Sequence, residues 1–184
     1  MTTIQTNTQK RRKKRQKETA EVFTPSRLVN QMLSKLPKEV WKKDKTFCDP
    51  ACGNGNFLFW VLARKMMRGH KPLDALKTIY GADIMKDNIA ECRWRLLKLV
   101  SKFEKITKEH VAAVFQRIVW INQKKYPNGS LDYDFSFKNK VNFNDVDAWL
   151  ERIKDKVFDD VKLPVSEEKF RKAGSCEDMF EEDF

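Results

Sequence analysis

The chain has 184 residues, 41% of them hydrophobic, enough for one sizeable core and too little for two full domains once the polar ends are set aside. Lysine and arginine number 37 against 26 aspartates and glutamates, a formal charge of +11, so a polyanion is the first partner to consider, although basicity does not say which one. No stretch reaches the roughly 18 consecutive apolar residues of a membrane helix, and no apolar segment follows the basic N-terminal stretch as in a secretory signal; the expectation is a soluble, cytoplasmic protein with no membrane association.

Residues 1–20 are polar and hold Lys10, Arg11, Arg12, Lys13, Lys14 and Arg15 in one run. Self-repulsion and the lack of apolar partners predict a disordered arm. A phosphate backbone would neutralise it and release counterions, adding affinity without sequence specificity; the plainer reading is a solubilising tail.

Residues 27–36 place Leu28, Val29, Met32, Leu33 and Leu36 at helical spacing, with Ser26 as the expected N-cap and Pro37 as the stop. Residues 45–50 read as a short strand ending at Pro50, followed by a glycine-containing turn and an apolar helix over 56–68 that Gly69 terminates. A second strand is expected over 78–84, which gives strand, helix, strand order and hence a parallel unit. A helix over 87–103 carries Ile89, Cys92, Leu96, Leu97 and Val100 on one stripe, with Trp94 at its border. Residues 108–116 continue in helical character and 117–121 form a candidate strand. Beyond it come a turn at 126–129, an alternating strand at 131–137 and a helix at 146–157. Residues 161–184 close the chain with an acidic tail in which Met179, Phe180 and Phe184 stand among aspartates and glutamates. The expected organisation is therefore an arm over 1–20, an α/β domain over 21–160 and a tail over 161–184.

The four cysteines, Cys48, Cys52, Cys92 and Cys176, show no paired CxxC spacing, and His70 and His110 are the only histidines. No metal site is assigned, and the cysteines read as reduced thiols.

The most informative stretch is Asp49-Pro50-Ala51-Cys52-Gly53-Asn54-Gly55-Asn56-Phe57, whose small residues fall where a strand must turn sharply into a helix. Gly53 and Gly55 admit positive φ and let the backbone approach a ligand, and the helix that follows offers unpaired N–H groups. An acid at the end of the next parallel strand is placed to accept hydrogen bonds from ribose hydroxyls, and Asp83 holds that place. Either feature alone is read more plainly as a strand end or a tight turn.

This motif resembles the Asp-Pro-Ala-Cys-Gly-Ser-Gly type sequence of N6-adenine DNA methyltransferases. Upstream, Phe23-Thr24-Pro25 is similar to the Phe-Thr-Pro motif of that family, and downstream Tyr80-Gly81-Ala82-Asp83-Ile84 resembles its second motif; together they cover residues 21–95. The resemblance implies a partial Rossmann-like methyltransferase fold, a parallel sheet flanked by helices, that binds S-adenosyl-L-methionine and acts on DNA, with RNA as a second polyanion. It further implies that Phe23, Thr24 and Pro25 flank the cofactor, that Asp49, Ala51 and Gly53 contact its amino-acid portion, and that Asp83 and Ile84 hold the adenosine. For Phe23 the plainer role is a core aromatic, and for Thr24-Pro25 the start of a helix.

The family's Asn/Asp-Pro-Pro-Tyr/Phe tetrapeptide, whose acceptors orient the target amine toward the methyl group, has no counterpart here. After the first motif the prolines are Pro72, Pro127 and Pro164, none beside another. Tyr126-Pro127-Asn128 has the aromatic on the wrong side and reads as a turn. Asp132 is the nearest match to an acid that relatives carry near the third strand. Fewer strands can be placed than the family's core uses. The catalytic residues are therefore unknown, and three explanations stand: a partner chain supplies the catalytic loop, the chain is an inactive nucleic-acid-binding or protein-binding accessory module, or an unrecognised loop performs the chemistry. Base extrusion would call for an exposed aromatic. Trp41, Trp60, Trp94, Trp120 and Trp149 are the tryptophans, with Trp60, Trp120 and Trp149 read as core anchors.

Overall fold

A computed structural model of the chain describes residues 22–121. The basic arm, the turn at 126–129, the elements expected over 131–137 and 146–157, Asp132, Trp149 and the acidic tail all lie outside the described residues.

Helix α1 spans Ser26–Ser34, and its cap position is Pro25 rather than Ser26. Pro25 is extended (φ −60°, ψ 145°), and its carbonyl accepts the Val29 N–H at 3.0 Å, so the ring's fixed φ starts the helix one residue early. The apolar stripe expected along α1 is split. Val29 and Leu33 are buried, while Leu28, Met32 and Leu36 stay 46%, 48% and 37% exposed, because the helix turns only one edge toward the body of the domain. A 3₁₀ turn over Lys38–Trp41 follows and buries Trp41, with the Arg68 guanidinium 4.5 Å from its ring centroid.

Strand β1 covers Phe47–Asp49 and helix α2 covers Asn56–Met67. Leu58, Val61, Leu62 and Ala63 are sealed in the core, so α2 is the central element. Its two buried cations keep partners. Arg64 Nη2 donates to Asn30 O and Ser34 Oγ on α1, at 3.1 and 2.9 Å. Lys65 Nζ donates to Lys45 O at 2.6 Å and Thr78 Oγ1 at 2.7 Å, and burial pushes its pKa down. Gly69 (φ +80°) ends the helix as expected, with the His70 N–H returning to Lys65 O at 3.2 Å.

Helix α3, Pro72–Leu76, was not expected: five residues are too few to show a period, although Pro72 stands at its first turn. Strand β2 is Ile79–Asp83, α4 is Lys86–Ser101, α5 is Lys108–Arg117 and β3 is Ile118–Trp120.

The three strands lie side by side in the order β1-β2-β3, all parallel. Asp49 stands opposite Gly81, and Asp83 opposite Trp120. Helices α2 and α4 pack on each other and on β2. Ile79 and Ile118 join the main core with them, whereas Ala82, Val119 and Ile121 form a separate cluster, as expected when alternate residues face opposite sides of a sheet. Every residue of the α4 stripe, Ile89, Cys92, Leu96, Leu97 and Val100, is buried. Arg93, beside that stripe, donates from Nε to Ile118 O at 2.8 Å and ties α4 to β3; burial lowers its pKa to about 10.

The core assignment holds for Trp60, which is 5% exposed, and fails for Trp120, which is 38% exposed. Trp120 ends the outer strand of the described sheet. Its indole N–H reaches Ile84 O at 2.9 Å and the Lys86 ammonium lies 4.1 Å from its ring centroid. Alternation in a short strand does not tell a core anchor from a strand-end residue.

Candidate functional site

The carboxyl ends of β1 and β2 bring Asp49 and Asp83 to one edge of the sheet, where the 49–57 turn and the segment before α1 enclose a cleft of about 280 Å³. Ligand sites in open parallel sheets lie at this end, because the turns there diverge and leave a crevice.

The turn is shaped by its glycines and by the two acids. Gly53 has φ +52° and Gly55 φ +83°, where side chains are rarely tolerated. The Ala51 N–H closes onto Asp49 Oδ1 at 3.1 Å, the Cys52 N–H reaches Ala82 O at 2.9 Å, and the Gly55 N–H reaches Cys52 O at 2.8 Å. Asp83 completes the loop by accepting the Gly53 N–H on Oδ2 at 2.9 Å, and its Oδ1 accepts the Met85 N–H at 2.7 Å. Asp83 is thus a structural clasp as well as an acid at a strand end. Oδ1 also accepts from Asn88 Nδ2 at 3.4 Å, so of the roughly four acceptor positions of an ionised carboxylate the one on Oδ2 beside that filled by Gly53 is left for a further donor.

Burial raises the pKa of Asp49, the Ala51 hydrogen bond opposes that shift, and the negative charge of Asp83 adds to it. Two carboxyl groups in a half-buried cleft favour a cation or a set of neutral donors between them and disfavour an anion. The Cys52 thiol is also pushed up, first by its contact with Cys92 and then by burial. It is a packing group with no nucleophilic character.

Six of the eight residues expected at the cofactor line the cleft: Phe23, Thr24, Asp49, Ala51, Gly53 and Asp83. Pro25 and Ile84 do not. Pro25 is exposed at the start of α1, and Ile84, 39% exposed, follows the end of β2 beside Trp120. The basic residues Lys10, Arg11, Arg12, Lys13, Lys14 and Arg15 lie outside the described residues.

The structure adds Val22, Cys52, Asn54, Asn56 and Phe57 to the lining. Asn56 fastens the segment before α1 to the turn, since its Nδ2 donates to Thr24 O at 2.8 Å. Arg95 on α4 braces the arrangement, donating to Asn56 Oδ1 at 2.7 Å and Asn54 O at 3.1 Å. The regular spacing of Asn54 and Asn56 between and after the glycines was the available signal for the pair. Nothing local marked Arg95 as their partner, some 40 residues away.

A family model described as N-6 DNA Methylase matches residues 6–147. The chain belongs to the N-6 DNA methylase family. Among curated proteins, the type II methyltransferase M.VspI of Vibrio sp. (strain 343) is 38% identical over 77 residues, a stretch that makes up 42% of this chain and 16% of that relative. The chain therefore matches only about one-sixth of the curated methyltransferase. No solved structure matches it. Family membership and the described three-stranded parallel sheet with its flanking helices agree in making this a partial methyltransferase fold of the N-6 DNA methylase family. Among the described residues no helix is long and apolar enough to cross a membrane.

Proposed function

We propose that the cleft at the ends of β1 and β2 holds S-adenosyl-L-methionine and that the chain serves adenine-N6 methylation of DNA. The observation that carries this reading is the hydrogen bond from the Gly53 N–H to Asp83 at 2.9 Å. It joins the glycine turn of the first motif to the acid of the second and sets Asp49 beside them.

The residues fit the cofactor's chemistry. Its amino-acid end presents an ammonium, which suits a cleft bearing the Asp49 carboxyl, and the acceptor position left on Asp83 Oδ2 suits a ribose hydroxyl. Gly53 leaves room at the turn: a Cβ there would come within 3.0 Å of the Phe23 ring, so a side chain would crowd the aromatic wall. Phe23 is half-buried against this turn and Thr24 is fixed through Asn56, which gives the cleft a rigid side. When bound, the cofactor supplies an electrophilic methyl group on a sulfonium sulfur; the chain's part is to bind it, orient it and keep water from its apolar side.

Acceptors for the target amine have no counterpart in the 184 residues, because no Pro-Pro pair exists. We therefore propose that these residues hold the cofactor and that the amine-orienting loop is supplied from outside them, with a partner chain as the source to be tested. The same absence favours the second reading, an inactive accessory module that keeps the cleft and binds nucleic acid through Lys10 to Arg15. Titration calorimetry with S-adenosylmethionine tests the shared premise. Saturable binding by the parent protein, lost in Asp49→Ala and in a folded Asp83→Asn, is expected; no binding by the parent would refute it. Adding duplex DNA then separates the readings. Methyl transfer that needs a second subunit supports the first, and binding with no transfer in any mixture supports the second.

A further inference from the structure

Six large apolar side chains stay exposed among the described residues, and three of them, Leu28, Met32 and Leu36, stand on α1 and the turn that ends it. Leu28 and Met32 are one helical turn apart and Leu36 continues the spacing, so they form a row beside the buried pair Val29 and Leu33. Lys35 follows Leu28 by two turns and is exposed on the same face. From Val22 to Lys38 the chain carries Arg27, Lys35 and Lys38 and no acid. Apolar residues exposed singly need no explanation, whereas a row of them rimmed by charge marks a contact surface.

The face is rigidly presented. On the inner side of α1, Arg64 Nη2 of α2 donates to Asn30 O at 3.1 Å and Ser34 Oγ at 2.9 Å, and Ser34 Oγ donates to Asn30 O at 2.8 Å. The surface therefore exists before anything binds, which leaves the ordering cost to the segment that arrives.

Its complement stands in the same sequence. Residues 177–184, which lie outside the described residues, carry the acids Glu177, Asp178, Glu181, Glu182 and Asp183, the apolar Met179, Phe180 and Phe184, and no base. Phe180 and Phe184 are spaced as Leu28 and Met32 are, the anchor pattern of a short segment laid along a helical face. Acids alone would be drawn to every basic stretch of a chain with 37 lysines and arginines. The aromatic anchors select a face with an apolar row, and the charges fix the sign of its rim.

We propose that residues 177–184 dock on the exposed face of α1, with Phe180 and Phe184 over Leu28, Met32 and Leu36 and the acids beside Lys35. The contact is separate from the cleft and does not depend on what the cleft binds. Because α1 starts directly after Thr24 and Pro25, the docked segment covers the outside of the element that carries one wall of the cleft.

Zero-length carbodiimide cross-linking of the full chain, read by mass spectrometry, tests this, since it joins a lysine only to a carboxylate in contact with it. The expected product is an amide between Lys35 and an acid of 177–184 within one chain, so an equal mixture of heavy-isotope and ordinary protein yields no mixed products. The double variant Phe180→Ala/Phe184→Ala, which leaves the described residues untouched, should lower the yield of that link about tenfold. Met32→Ser, at an exposed position that leaves the core intact, should lower it about threefold or more. Links from 177–184 confined to Lys10, Lys13 and Lys14, or a Lys35 link that survives both substitutions, would mean attraction by charge alone and overturn the proposal. Mixed heavy and light products would assign the face to a second copy and overturn it too, as would the absence of any link to Lys35.

Discussion

Replacing Gly55 with alanine is expected to destabilise the domain by roughly 2–5 kcal/mol, a sum of two separable costs. The first is conformational: φ at Gly55 is +83°, and a left-handed backbone costs an L-residue about 1–2 kcal/mol. The second is steric, since a Cβ at Gly55 would stand 2.4 Å from Cys92 Sγ, 3.1 Å from its Cβ and 3.4 Å from its Cα. The Cys92 backbone belongs to the buried face of α4, so relief requires the helices to part, and overpacking of this kind costs about 1–3 kcal/mol. Gly69 provides the comparison, with φ +80° and nothing within 4 Å of its Cβ position, so Gly69→Ala should show the conformational cost alone. Urea denaturation of Gly55→Ala, Cys92→Ala and the double variant measures the steric part, because removing Sγ deletes the closest contact. The cycle should return a coupling of about 1–2 kcal/mol in favour of the double variant. Additive costs, or a Gly55→Ala protein no less stable than Gly69→Ala, would refute the claim that the turn is set by its contact with α4.

Three other outcomes follow from the cleft. Burial and Asp83 hold the Asp49 carboxyl above its ordinary 3.8, so the folded chain keeps a proton that the unfolded chain has released, and this group's contribution to stability falls as pH rises from 3.8 to the raised value and stays low above it. Asp49→Asn, which retains an acceptor for the Ala51 N–H, should therefore melt no lower than the parent at about pH 7 while losing affinity for S-adenosylmethionine; a clear drop in melting temperature would contradict the assignment. Arg95→Ala should cost about 1–3 kcal/mol, since Asn54 O and Asn56 Oδ1 lose their shared donor, and it should weaken cofactor binding as the wall at Thr24 loosens; chemical denaturation and calorimetry check the two parts. Deleting residues 1–20 should flatten the plot of log affinity for duplex DNA against log salt by roughly 5 units if Lys10 to Arg15 each meet a phosphate; an unchanged slope would remove the arm from DNA binding.

Much of the described fold was readable because its signals are local. Gly53, Gly55 and Gly69 mark backbone that only glycine adopts easily, and each stands at positive φ. The α4 stripe at Ile89, Cys92, Leu96, Leu97 and Val100 has the spacing of one helical face and is buried throughout. What escaped was set by distant partners or by competition between neighbours. Ser26 has the right chemistry for a cap, and Pro25 takes the place because its φ is already fixed. Leu28 and Met32 share the spacing of Val29 and Leu33, yet periodicity does not say how wide a face the rest of the molecule covers. The same limit applied to Trp120, an aromatic in a short apolar strand that stands at an exposed strand end. Within the cleft, the acids and glycines were legible from motif and order. The brace from Arg95 and the Asn54–Glu91 pair were not, since 41 and 37 residues separate those partners in sequence.

The way the cleft is held bears on the missing catalytic tetrapeptide. Asp83 is bound to Gly53 and Met85, Asp49 to Ala51, Asn56 to Thr24 and Arg95, and all of these residues fall between 22 and 121. Among the described residues, these contacts tie the turn, the strand ends and the segment before α1 together. Under the proposed function, cofactor binding would rest on the β1–β2 edge and its turn, and methyl transfer on acceptors other than these residues. Both readings of its function share the expectation that the described residues bind S-adenosylmethionine. The informative comparison is accordingly not bound against unbound cofactor, but the saturated chain with and without a second subunit in the presence of DNA.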